Sequence, residues 1–194
     1  MFIETETTPN PSSLKFLPGQ QVMGQGTREF ATPEAAEASP LAQAIFDTGE
    51  VVNVFFGGDF VTVTAAPGVN WTDLKPQVLA ILLDHFVSQA PLFAPGTAGG
   101  IAVPPEAEAG MLVEERDEDS DIIAQINELL ETRVRPAVAG DGGDIQYRGY
   151  RDGVVHLQMQ GACSGCPSST ATLKHGIEGL LKHYVPEVVE VRAA

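Results

Sequence analysis

A stretch rich in proline, glycine and acidic residues, residues 90–118, limits how this chain can fold. Eight prolines and glycines interrupt any helical or strand periodicity there, and an acidic run begins at Glu114. Such a composition buries too little apolar surface to fold alone, so it predicts a flexible linker. The 194 residues are thereby divided into a domain over residues 1–89 and a second over residues 119–194.

Residues 1–89 have the pattern of a small α+β domain. Ser39 followed by Pro40 predicts a helix start, and Thr72 or Asp73 predicts a second one. A turn at residues 57–59 favours a hairpin. The four predicted strands are Phe2–Thr5, Leu14–Leu17, Val51–Phe56 and Phe60–Thr64.

This domain has few residues that could act in catalysis or bind a metal. His85 is its only histidine, and we interpret it as a surface or boundary residue, because a metal needs several converging ligands. The domain holds no recognisable catalytic constellation. We therefore expect it to serve in recognition or support.

Residues 119–194 predict the order α-β-β-α-β. Ser120 is positioned to cap the first helix, with Pro136 near its end, and Arg151-Asp152-Gly153 is positioned to join two alternating strands. A closing strand around Val191 completes a three-stranded sheet that both helices cover. The predicted fold class is α+β, with two small α/β domains joined by a flexible linker.

Cys163 and Cys166 are the only cysteines of the chain. They form a Cys-x-x-Cys loop between the second strand and the second helix of the carboxy-terminal domain. Gly161 and Gly165 let the backbone approach closely, and Pro167 suits the first turn of the helix. Because a helix amino terminus stabilises a nearby thiolate, we expect an exposed pair of thiolates that point outward.

Three chemistries compete for this pair. A thiol–disulfide oxidoreductase uses Cys-x-x-Cys at a helix start, but here both cysteines precede the helix. A structural zinc site needs four protein ligands, and His156, His175 and His183 do not converge on a common centre. An iron–sulfur cluster needs four thiolates, which two chains across a two-fold axis would supply. A purely structural pair is a further alternative.

The overall charge of the chain argues against two classes of binding partner. The net charge of −15 argues against nucleic acid and against an anionic membrane surface, and no apolar run has the length of a membrane span. The acidic start of the chain has neither a signal-peptide pattern nor a transit-peptide pattern. We expect a cytoplasmic protein of a bacterium, with a mature mitochondrial form as the alternative.

Several segments of this sequence resemble a known family. Residues 141–144, residues 161–170 and residues 185–188 closely resemble the NifU-like carboxy-terminal (Nfu) domain, and Cys163 and Cys166 match the family's cluster ligands. The opening, residues 2–16, looks like the amino-terminal domain that accompanies it in bacterial and mitochondrial Nfu proteins. The two resemblances cover most of the chain outside the linker.

The resemblance implies a carrier, not an enzyme. Such proteins bind a [4Fe–4S] cluster between two protomers, so Cys163 and Cys166 are expected to bind it in a homodimer; a [2Fe–2S] cluster would need the same four thiolates. The expected acceptors are apo iron–sulfur proteins, and the expected donor is an upstream cluster-assembly scaffold. The alternative is a thiol–disulfide oxidoreductase that uses the same two cysteines.

Overall fold

The computed structural model describes residues 2–96, 117–164 and 167–193 and divides the chain into two compact units, Met1–Val103 and Pro104–Ala194. Each unit combines helices with one sheet, so the predicted α+β class with two domains is confirmed. The predicted limits of the domains and of the linker stay predictions, because residues 97–116 lie outside the described residues. Within the described ranges, no helix is long and apolar enough to cross a membrane.

The first unit is built on a five-stranded antiparallel sheet in the order β1-β2-β5-β4-β3. In the described part of this unit three helices accompany the sheet: α1 (Pro33–Ala36), α2 (Pro40–Phe46) and α3 (Trp71–Ser88). Its strands are β1 (Glu4–Thr7), β2 (Ser13–Leu17), β3 (Arg28–Phe30), β4 (Val51–Phe56) and β5 (Val61–Ala65).

One face of this sheet holds the core of the first unit. Alternate residues of the strands, such as Phe16, Phe56 and Val63, are fully buried in one cluster with Leu41 of α2 and Leu82 of α3. Each fully buried side chain of this size stabilises the fold by about 1.5–3 kcal/mol relative to an exposed position.

Local signals set most helix and hairpin positions in this unit. The predicted hairpin between β4 and β5 is confirmed. The predicted start of α2 at Ser39 is confirmed as well, since the Ala42 backbone N–H donates to Ser39 Oγ at 3.3 Å. The predicted cap of α3 is wrong. Asn70 takes that role, because its Oδ1 accepts from the Thr72 backbone N–H at 2.9 Å.

His85 is also placed differently from the prediction. It is only 8% exposed, near the end of α3, so it is a buried residue rather than a surface or boundary one. Burial lowers the pKa of its imidazole, because desolvation disfavours the charged form.

The second unit has a long helical segment followed by a three-stranded sheet, as predicted. A short 3₁₀ turn, Asp117–Asp119, precedes the segment. The segment consists of α4 (Ser120–Leu129), a π-helical turn (Leu130–Val134) and α5 (Arg135–Gly140). The remaining elements are β6 (Gly143–Arg151), β7 (Val154–Gly161), α6 (Pro167–Tyr184) and β8 (Glu190–Ala193).

The sheet order is β6-β7-β8, antiparallel between β6 and β7 and parallel between β7 and β8. The β6–β7 turn is confirmed at Asp152-Gly153, both at positive φ (51° and 82°), which suits a two-residue hairpin. Buried residues of α4, α5 and α6 cluster with the inward side chains of the strands, among them Val155 and Leu157.

One helix prediction in this unit is wrong. Ser120 is the first helical residue rather than the cap, and Asp119 at the cap position makes no side-chain cap hydrogen bond. Pro136 lies near the end of the helical segment, as predicted, and the segment continues for four more residues to Gly140. The π-helical turn explains this: the Arg135 backbone N–H donates to the Leu130 carbonyl, five residues earlier, and the widened turn accommodates the proline that follows.

Candidate functional site

The cysteine loop begins where β7 ends. Gly161 turns the chain at a φ of +66°, and the Ser164 backbone N–H and hydroxyl both donate to the Gly161 carbonyl, at 3.1 and 2.9 Å. The Ala162 backbone N–H donates to the carbonyl of Gly142 at 3.2 Å. These bonds hold the start of the loop against the turn that leads into β6.

The side chain of Cys163 points into the protein. Cys163 is 5% exposed and belongs to the core cluster of the second unit, so the prediction of an exposed thiolate is wrong for this residue. Gly143 leaves the space that the thiol occupies, because a Cβ on Gly143 would lie 2.8 Å from Cys163 Sγ. Cys166 and Gly165 lie outside the described residues.

The surroundings of Cys163 favour the neutral thiol. Burial, followed by the negative charges of Asp141 and Asp144, raises the pKa of Cys163 from 9.0 to about 12. The protein without metal therefore keeps this thiol protonated at neutral pH. A metal that binds here must displace that proton, and its positive charge would favour the thiolate.

An ion pair fixes the turn behind the thiol. Arg135 donates from Nε to Asp144 Oδ1 at 2.8 Å and from Nη2 to Oδ2 at 2.7 Å, while Nη1 binds Glu131 at 2.6 Å. The Ile145 backbone N–H also donates to Asp144 Oδ1, at 2.8 Å. The hydrogen bonds to Asp144 are the main cause of the raised pKa of Arg135, which burial partly opposes.

The start of α6 is tied to the same loop. Pro167 begins the helix as predicted, and Thr170 Oγ1 donates to the carbonyl of Cys163 at 3.0 Å. The carbonyl of Cys163 is thus held by the helix, while its thiol is held by the core. Cys163 therefore has a defined position although it belongs to a loop.

Sequence reasoning placed Cys163 in the loop but missed the residues that position it. Gly143 and Asp144 belong to a segment that carries the family resemblance, but the sequence assigns no positioning role to them or to Arg135. The two glycines beside an acidic residue could have suggested a close backbone approach. No sequence signal connects Asp144 with Arg135, nine residues earlier.

The histidines do not gather around Cys163. His156 lies on β7, and His175 and His183 are exposed on α6. Among the described residues, no group of three or more histidine, cysteine, aspartate or glutamate side chains could hold a metal ion. Cys163 is thus the soft donor in the part of the loop that the structure describes.

Comparison with known proteins identifies relatives of both units. The family model "Scaffold protein Nfu/NifU N terminal" matches residues 3–89, and the model "NifU-like domain" matches residues 126–192. The human protein "NFU1 iron-sulfur cluster scaffold homolog, mitochondrial" is 48% identical over 189 residues, which cover 97% of this chain and 70% of the human protein.

Two plant proteins are similarly related. "NifU-like protein 5, mitochondrial" and "NifU-like protein 4, mitochondrial" of Arabidopsis thaliana are each 50% identical over 190 residues, or 97% of this chain. The chain spans 66% and 64% of the length of these two proteins.

Proposed function

Because this chain belongs to the Nfu and NifU-like scaffold family, we propose that it binds a [4Fe–4S] cluster between two copies of itself and transfers the cluster to apo iron–sulfur proteins. Cys163 and Cys166 of each copy supply two of the four thiolates that such a cluster needs. A [2Fe–2S] cluster would use the same four. The names of the relatives, which include "iron-sulfur cluster scaffold", support this assignment.

The observation that carries the proposal is the position of the Cys163 side chain. Gly143 and the Gly161 turn hold a soft sulfur donor at the edge of the core, beside the start of α6. One chain has only two cysteines, so its loop is half of a four-thiolate site. A second copy of the same loop completes it.

Burial of Cys163 suits a carrier better than a permanent holder. The thiol gives up a proton when it binds iron, and burial, which raises the pKa of Cys163, makes that step less favourable. When the cluster leaves, Cys163 takes up a proton and returns to a neutral, packed state. The site thereby favours release to an acceptor with more acidic thiols.

The remaining roles follow from this assignment. The chain acts as a carrier and not as an enzyme, receives its cluster from an upstream assembly scaffold, and joins as a homodimer when the cluster binds. Residues 1–89 serve in recognition or support, and residues 90–118 link the two domains. We place it in a bacterial cytoplasm; the names of the relatives place those proteins in mitochondria.

Anaerobic reconstitution tests the proposal. The protein should gain iron and sulfide in equal amounts, with about one cluster for two chains, and it should activate an apo-dehydratase that depends on a [4Fe–4S] cluster. Cys163→Ser and Cys166→Ser should each abolish binding, whereas Ser164→Ala should retain it. Cluster retained in the double cysteine variant would overturn the ligand assignment.

The same samples separate the alternatives. Zinc in the protein purified without added metal would favour a structural site. Reduction of insulin disulfides by iron-free monomer would favour an oxidoreductase. The raised pKa of Cys163 speaks against an oxidoreductase in which this residue attacks the disulfide, because an attacking cysteine needs a lowered pKa.

A further inference from the structure

The face of the β6-β7-β8 sheet that points away from the helices has a distinct composition. Strand alternation turns residues such as Val155 and Leu157 toward the helices and their neighbours outward. The outward set is polar and includes two arginines, in a chain of net charge −15. We call it the basic face: Gln146, Arg148, His156, Gln158, Gln160 and Arg192, with Glu190 beside Arg192 on the same side of β8.

Arg148 carries a charge that no carboxylate neutralises within the described part of the chain. The strand register shifts between Tyr147 and Gly149, a bulge of the kind that redirects a side chain. The Arg148 guanidinium then donates from Nε to Gln158 Oε1 at 2.7 Å and also from Nη2 to the same oxygen. Gln158 orients the guanidinium but, being neutral, leaves its charge available.

The next row of the sheet extends the basic face across all three strands. Gly149, His156 and Arg192 are register partners in β6, β7 and β8. Gly149 has no side chain to cover His156 from the β6 side. The side chain of Arg192 is 56% exposed and pairs with Glu190 at 3.0 Å.

The acidic groups nearby cancel only part of these charges. Glu190 binds Arg192 and also lies 4.0 Å from Lys174 Nζ. Asp144, at the start of β6, is 3% exposed and held by Arg135. The charge of Arg148 therefore remains, and the basic face keeps a net positive charge on an otherwise acidic molecule.

The position of this face relative to Cys163 suggests its use. β7 runs directly into the cysteine loop, and Gln160 of the basic face precedes Cys163 by three residues, just before the Gly161 turn. We propose that the basic face docks an acidic surface of the apo-protein that receives the cluster. Charge complementarity carries this choice: the rest of the chain repels an acidic partner, whereas this face attracts it next to the loop.

Binding can be measured without any cluster. The full ¹⁵N-labelled apo-protein is titrated with a deca-aspartate peptide and followed by amide chemical shifts. We expect shifts in β7 and β8, and about tenfold weaker binding after Arg148→Glu with Arg192→Glu. Arg133→Glu is the matched control: it makes the same charge change on the helical layer, where Arg133 lies 5.5 Å from the Tyr184 ring, and should leave binding unchanged.

Several outcomes would overturn the docking proposal. These are chemical-shift changes confined to elements other than β7 and β8, an equal loss of peptide affinity in the Arg133→Glu control, or preferential binding of a short single-stranded RNA. Arg148→Gln removes the charge without introducing a carboxylate, so it separates charge from misfolding and should lose part of the affinity.

Transfer kinetics link the basic face to cluster delivery, and this part rests on the proposed function. The double charge-reversal variant should bind as much cluster as the unchanged protein and deliver it about tenfold more slowly to an acidic apo-ferredoxin at low salt. The difference should shrink at high salt. Loss of cluster from the variant would contradict the docking role, whereas absence of cluster in every variant and in the unchanged protein would contradict only the proposed function.

Discussion

Replacing Gly143 by alanine tests how the fold positions Cys163. The new Cβ would lie 2.5 Å from the Gln160 carbonyl oxygen and 2.8 Å from Cys163 Sγ, distances below 3.0 Å that real Cβ atoms essentially never show. The carbonyl belongs to β7, in register with β6, so it cannot withdraw without weakening the strand pairing. The thiol can move only by leaving its packed position.

The size of the effect follows from opposing contributions. Overpacking of this kind costs about 1–3 kcal/mol, and a weakened ladder hydrogen bond adds about 1 kcal/mol. Loss of glycine's freedom in the unfolded chain offsets about 0.4–1 kcal/mol. We expect Gly143→Ala to lower the free energy of unfolding of the second unit by about 2 kcal/mol, and its melting temperature by about 10 °C.

The assay is a urea titration of the full chain, with the amide signals of Val155 and Leu157 reporting on the second unit alone. Gly176→Ala is the matched control, because a Cβ at Gly176 in α6 meets no atom within 4 Å. It should raise stability by about 0.5–1 kcal/mol. Equal stability and equal cluster content in the two variants would refute the packing argument.

Three further changes test other contacts. Arg135→Gln leaves the buried Asp144 carboxylate without its ion pair and should lower the unfolding free energy of the second unit by about 3 kcal/mol. In a double-mutant cycle with Asp144→Asn the two effects should be strongly non-additive, and additive effects would contradict the pairing. Folding raises the pKa of Cys163 from 9.0 to about 12, so the stability that its neutral thiol contributes is fully present below about pH 9 and is lost as pH rises toward 12. Cys163→Ser should therefore flatten the fall of the unfolding free energy over this pH range in urea titrations. An unchanged slope would show that the thiol is not buried. Phe56→Ala should destabilise the first unit by about 3–5 kcal/mol while iron content after reconstitution stays unchanged, whereas loss of iron would show that cluster binding depends on this core.

The sequence predicts those elements whose cause lies in neighbouring residues. Asp152-Gly153 determines its hairpin because both residues favour positive φ and the flanking strands alternate. Ser39 with Pro40 determines its helix start for a similarly local reason. In contrast, the three-residue β3 and four-residue α1 are too short to show periodicity, and the sequence does not predict them.

The candidate site is less predictable because its causes are distant along the chain. The spacing of Cys163 and Cys166 locates the loop, but the burial of Cys163 depends on the absence of a side chain at Gly143, twenty residues earlier. Arg135 follows a π-helical turn that no local sequence pattern predicts. A local pattern therefore finds the donor atom, whereas its position and pKa come from packing.

Native mass spectrometry of the anaerobically reconstituted protein tests the central claim most directly. A mixture of unlabelled and ¹⁵N-labelled chains, reconstituted together, should give cluster-bound species that contain two chains and one cluster, including the mixed pair. Removal of the cluster with a chelator should return these species to monomers. A cluster carried by a single chain, or a cluster-bound dimer formed by chains with both Cys163 and Cys166 replaced by serine, would contradict the account.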